Sequence, residues 1–165
     1  MKYILLTFMV CLLVSCGDNI SETGNPDELV DLAEFRQEIS RHLTNELILP
    51  AYQELSSKSD LLQEAAATFA ENPDQTNLDN LKAAHQASWI SWQKTSLYYL
   101  GPTVNNGLRA GLNTYPADVD KIENNIATGS YQLGSLANQD AEGLPALDYL
   151  LNGMDELAPL ADFTA

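Results

Sequence analysis

Apolar and polar positions fall in blocks along this chain of 165 residues. The first block, Tyr3 to Val14, is almost wholly apolar and uncharged, with Lys2 just before it. At about a dozen residues it is too short to cross a bilayer core of ~30 Å as a helix, and it has the length of a secretion signal's apolar segment. A small, polar stretch comes next over residues 17–26 and reads as a tether. Asn25-Pro26 then opens a helix, with Asn25 as N-cap and Pro26 in the first turn. Leu29, Leu32, Ile39, Leu43 and Leu47 keep helical spacing, so one stripe is expected to face a core, until Pro50 ends or kinks the helix. A second helix is predicted from about Ala51 to Glu71, with Leu55, Leu62, Ala66 and Phe69 on one face and Asn72-Pro73 as the break.

Thr76-Asn77-Leu78-Asp79 has the form of a capping box. In the helix it predicts, Leu78, Leu81, His85, Ser88, Trp92, Thr95 and Tyr99 step by threes and fours onto one face. Leu100-Gly101-Pro102 closes it. A short helical piece is expected over Val104–Ala110, interrupted by Gly107, Gly111 and Asn113. Tyr115-Pro116 makes a turn, and Asp118–Ala127 a modest helix. Residues 129–143 read as loop, and Pro145–Leu151 as a last helix that stops near Gly153. No stretch alternates as a strand would, and nothing repeats. The expected fold is all-α, an antiparallel helical bundle.

The first apolar block ends in Leu13-Val14-Ser15-Cys16, then Gly17-Asp18, which has the form of a bacterial lipobox. On this reading residues 1–15 are a signal peptide, Cys16 becomes the acylated N-terminus, residues 16–26 tether it, and residues 27–165 form the helical domain. A plain signal peptide with an incidental cysteine is the alternative. Gly17 beside Cys16 favours the outer over the inner membrane, so the chain is expected in the cell envelope, outside the cytoplasm. Cys11 and Cys16 are then both spent, and the mature domain has no disulfide.

The chain carries 8 Lys+Arg against 23 Asp+Glu, a net charge of −15. Such a surface excludes nucleic acid as a partner and favours cations, cationic ligands or solubility alone. Phosphate loops, nucleophile elbows, zinc-protease helices and metal-spaced cysteines are all missing. Glu38, His42 and Glu46 are spaced by four, so one helix face offers either a metal-binding ladder or a solvated polar surface. His85 reads as a hydrogen-bonded, semi-buried imidazole or as a ligand. Trp89, Trp92, Tyr98 and Tyr99 read as core or as the lining of a pocket. In Gly143-Leu144-Pro145-Ala146-Leu147-Asp148-Tyr149-Leu150-Leu151, Asp148 either supports the first turn of the last helix or faces a cleft.

With Ile48-Leu49-Pro50-Ala51-Tyr52, the Trp89/Trp92 helix, Leu100-Gly101-Pro102 and the Arg109 segment leading into Tyr115-Pro116, that last motif resembles the imelysin-like proteins. The likeness covers roughly residues 35–153. It implies a helical-bundle protein of the bacterial envelope, linked to iron or haem uptake and to envelope uptake proteins, of a class historically described as metallopeptidases. It implies iron or another divalent metal as ligand, and Asp148, Arg109 and Tyr115 as cleft residues. The family signature is Gly-x-His-x-x-Glu. Gly143 matches the glycine, Pro145 stands in place of the histidine, and Asp148 keeps the acid. Proline has no side-chain donor or acceptor and cannot replace a metal-binding imidazole. Family members are longer, with two bundles, so this chain is expected to correspond to the first bundle, truncated at its C-terminus. Three roles are open to it: a lipid-anchored binding component for iron or haem, a metal-dependent peptidase, or a partner-binding lipoprotein without enzymatic activity. Pro145 counts against the peptidase.

Mass spectrometry of the mature protein from its host is expected to find acyl chains on Cys16 at the N-terminus. A signal left in place, or a free N-terminus beyond Cys16, contradicts the lipobox reading.

Overall fold

The computed structural model describes residues 26–101, 104, 106–153, 160 and 163, with side chains from residue 32 onward. The signal segment, Cys16, the tether, the Asn25 cap, the side chain of Leu29 and Pro102 lie outside the described residues. The chain divides into two compact units at Arg41 and His42.

Helix α1, Pro26–His42, holds the described residues of the first unit and ends on the first residue of the second. Leu32, Phe35 and Ile39 on it are exposed, between 42% and 57%. The stripe expected to face a core therefore stays open to solvent. In the second unit Leu43 and Leu47 are also exposed, and they lie in a π-helical stretch, Leu43–Ile48. A π-helix bonds residues five apart, so the four-residue spacing of Leu43 and Leu47 no longer keeps them in line. Pro50 does not end a helix. It sits at the start of α2, Leu49–Glu71, where a missing amide costs least.

Helix α3, Gln75–Thr95, returns antiparallel to α2. Two hydrogen bonds from α3 side chains to α2 carbonyls tie the pair: Ser88 Oγ donates to Lys58 at 2.9 Å, and Thr95 Oγ1 to Ala51 at 3.1 Å. Near the same end Tyr52 Oη donates to the Tyr98 carbonyl at 3.2 Å. Small polar side chains at this seam let two backbones approach while these donated protons find acceptors. The cap of α3 lies earlier than the capping box implied. Asp74 is the N-cap, in extended backbone, and its carboxylate accepts the Asn77 amide at 2.8 Å. Asp79 instead accepts from the Gln75 side chain. At its far end α3 tightens into a 3-10 turn, Ser96–Tyr98, before the predicted stop.

A short helix α4, Leu108–Asn113, begins after Gly107, whose φ of +71° turns the chain into it. Gly107 thus starts this helix rather than interrupting one over Val104–Ala110. The Tyr115–Pro116 peptide is cis. Helix α5, Val119–Thr128, is capped by Asp118, which accepts the Lys121 amide at 3.0 Å. The segment expected as loop contains a 3-10 helix, Leu136–Ala141. Lys121 Nζ holds it by donating to Asp140 Oδ2 at 2.6 Å and to the Ala137 carbonyl at 3.2 Å. That hydrogen bond and the ammonium charge hold the Asp140 carboxyl below its usual range. Helix α6, Gly143–Asn152, closes the fold.

Three apolar clusters place α6 against its neighbours. Phe69, Leu78, Leu81 and Leu151 form the first, and Phe163 meets Phe69 edge-on at 5.2 Å. Leu55, Trp92 and Leu144 form the second; Ile122, Ala141 and Ala146 form the third. Each cluster contains a residue of α6, so that one short helix joins the α2–α3 pair to α5. Among the described residues there is no strand, and the fold is an all-α helical bundle.

Trp92 is 3% exposed at the centre of the second cluster. Trp92→Ala is expected to destabilise the chain by ~3–5 kcal/mol in denaturant unfolding. A loss under ~1 kcal/mol contradicts its place in the core.

Candidate functional site

The site is built around the entry to α6. Gly143 has a φ of +81°, a backbone region that L side chains rarely adopt. A Cβ there would also stand 2.6 Å from the Leu112 carbonyl oxygen and 2.7 Å from that of Gly111. The N-terminus of α6 is therefore pressed onto the C-terminal end of α4, and glycine is required twice over. Pro145 is buried in the first turn of α6, where no amide partner is lost.

His85 fixes the same entry from the other side. It is 2% exposed, and its Nε2 lies 2.9 Å from the Leu144 carbonyl oxygen. A carbonyl only accepts, so Nε2 is the donor of this hydrogen bond. The imidazole meets Trp89 edge-on, with ring centroids 5.3 Å apart. Of the two readings of His85, the hydrogen-bonded buried imidazole describes its Nε2.

Asp148 is placed differently from the expectation. Helix α6 begins at Gly143, and its first turn holds no acidic residue, so Asp148 lies in the second turn. The helix-terminus field falls off within the first turn and explains little there. The half-buried carboxylate instead accepts from Asn152 Nδ2 at 3.0 Å, one turn further on.

Two grooves meet at this carboxylate. The larger, of about 640 Å³, is lined by Lys82, His85, Gln86, Trp89, Asp148 and Asn152, among others. The smaller, of about 280 Å³, is lined by Trp89, Tyr115, Pro145, Asp148, Tyr149 and Asn152, among others. Trp89, Asp148 and Asn152 belong to both. The phenol of Tyr149 donates to Glu123 at 2.6 Å, which holds its proton and pushes its pKa upward.

The structure thus brings together Pro145, Asp148 and Tyr115 and sets Gly143 beneath them. It does not bring in Arg109, whose guanidinium stands 5.8 Å from the centroid of the Tyr99 ring. Glu38, His42 and Glu46 are all exposed, and Glu46 lies in the π-helical stretch, which takes it out of the four-residue ladder. Among the described residues no group of three or more His, Cys, Asp or Glu is placed to hold a metal ion. Of the aromatic residues, Trp92 is core and Trp89 lines the grooves. Gln86, Tyr149 and Asn152 join the site without having stood out in the sequence. Helical spacing from Asp148 to Asn152 was the available signal for the last, and Tyr149 stood in the motif beside Asp148; Gln86 carries no motif.

The family model for imelysin (peptidase M75) matches residues 48–165, which include every residue of both grooves. The chain belongs to the imelysin family. It is similar to the "Iron-regulated protein A" of Synechococcus elongatus (strain ATCC 33912 / PCC 7942 / FACHB-805), with 22% identity over 107 residues. That match takes in 65% of this chain and 29% of the relative, so the chain spans under a third of that protein's length. No solved structure matches it.

Gly143→Ala is expected to lower stability by more than the ~1–3 kcal/mol of backbone strain alone, because the methyl also meets two carbonyl oxygens. Asp148→Asn, in contrast, is expected to stay within about 0.5 kcal/mol of wild type. Parallel thermal melts of the two variants check both values.

Proposed function

We propose that this chain is a lipid-anchored protein of the bacterial envelope, outer membrane rather than inner, that serves as a binding component in iron or haem uptake and does not cleave peptides. Its family membership supports the type, and the name of its cyanobacterial relative supports the link to iron. The observation that carries the reading is the groove at the family signature. Pro145 fills the place of the imidazole and Asp148 keeps the acid. A carboxylate and an aromatic wall can bind; without the signature imidazole they lack a hydrolytic metal centre. Asp148 is the anionic donor in the larger groove that suits iron, and one protein carboxylate leaves most of the metal's coordination to other groups. Iron would therefore be met as a complex that brings its own ligands, or with a partner protein supplying the rest. The anchor at Cys16 rests on the lipobox. No described helix is long and apolar enough to cross a membrane.

In iron-limited cultures the level of this protein is expected to rise, and its deletion to slow growth. Unchanged expression and unchanged growth at limiting iron would remove the uptake role. The purified chain is expected to show no chelator-sensitive peptide hydrolysis with added zinc, and no stoichiometric binding of iron at roughly micromolar concentration. Cleavage abolished by Asp148→Asn would establish the peptidase instead.

A further inference from the structure

We propose that the smaller groove is a site for a small organic cation, an ammonium or guanidinium group held by the Asp148 carboxylate among the rings of Trp89, Tyr115 and Tyr149. Three of the residues that line this groove are aromatic, one is anionic and none is cationic. Lys82 lines the larger groove and not this one. Aromatic faces carry negative potential and attract cations most strongly where water is displaced. The apolar side chains of Ala117, Val119 and Pro145 in the same lining provide that displacement.

Two hydrogen bonds prepare the site. Asn152 Nδ2 binds Asp148 Oδ1, which orients the carboxylate and leaves Oδ2 for a ligand. Glu123 accepts a hydrogen bond from the Tyr149 hydroxyl, which fixes the phenol and draws electron density onto its ring. Together with a net charge of −15, this arrangement attracts cations and repels anions. A bare metal ion is poorly served, because one carboxylate and one amide leave most of its coordination shell to water. A volume of about 280 Å³ fits a small head group rather than a drug-sized ligand. The site shares Asp148 with the proposed role in iron uptake, and the two are tested separately, by cation titration here and by iron-limited growth there.

Titration calorimetry of the purified full chain tests it with tetramethylammonium, guanidinium and choline, and with 3,3-dimethylbutanol as the neutral counterpart of choline. The cations are expected to saturate at roughly millimolar concentration, with the neutral alcohol weaker by about tenfold or more. Asp148→Asn and Tyr115→Ala are each expected to weaken binding by about tenfold with little change in melting temperature. Tyr115 is 77% exposed, so its removal leaves the fold intact. Vesicles of phosphatidylcholine separate two sources: competition with tetramethylammonium assigns the cation to a lipid head group, and its absence to a free solute. Equal affinity for choline and its neutral counterpart, no saturation by any cation, or full binding by Asp148→Asn overturns the proposal.

Discussion

A single contact, between the start of α6 and the end of α4, sets the geometry on which the groove depends. At Gly143 the backbone passes so close to the carbonyls of Gly111 and Leu112 that no side chain fits between them. The next residue, Leu144, gives its carbonyl to His85 and its side chain to the Trp92 cluster. Within two residues, α6 is thus fixed to α4 by close approach and to α3 by a hydrogen bond and apolar burial. Trp89 and Asp148 face one groove as a result, because the helices that carry them are locked at that point.

Family membership takes on a physical meaning in this light. The glycine of the signature is a packing residue here, required by a positive φ and a neighbouring helix end. Proline at the imidazole position is buried in the first turn of α6, which suits an element held rigid. The acid sits a turn deeper than a helix-capping role needs, held by Asn152. The rigid entry holds one oriented carboxylate, and the grooves on either side of it differ in character. One adds imidazole, amides and a lysine; the other adds tyrosines and apolar side chains.

Helices α2, α3, α5 and α6 were legible because each carries an apolar face with the right period and a polar or glycine stop. Leu55, Phe69, Leu78, Leu81 and Trp92 are buried as that period implies. The stripe of α1 and the π-helical stretch has the same period and stays exposed. Periodicity reports that a face is apolar, not that anything covers it. The cap at Asp74 was hidden by a better-known pattern two residues on. The 3-10 helix Leu136–Ala141 had no periodic signal, being held by Lys121 from another helix. Asp148 was legible from its motif, but the groove was not. His85 and Leu144 are 59 residues apart in sequence, and only the fold brings α3, the Tyr115 turn and α6 together.

Two ionisable links bracket that groove in pH. Lys121 lowers the pKa of Asp140, so the stability this pair adds is present above the ordinary aspartate range and is lost as the pH falls through the lowered value. Glu123 raises that of Tyr149, so the neutral phenol is favoured, and its contribution lasts through neutral pH and fades as the pH climbs past the ordinary tyrosine range. Acid loosens the 3-10 segment beside α5, and alkali frees a wall of the groove itself. The acid-sensitive pair borders the groove too: the Asp118 amide donates to the Asp140 carbonyl at 2.7 Å, between the lining residues Ala117 and Val119.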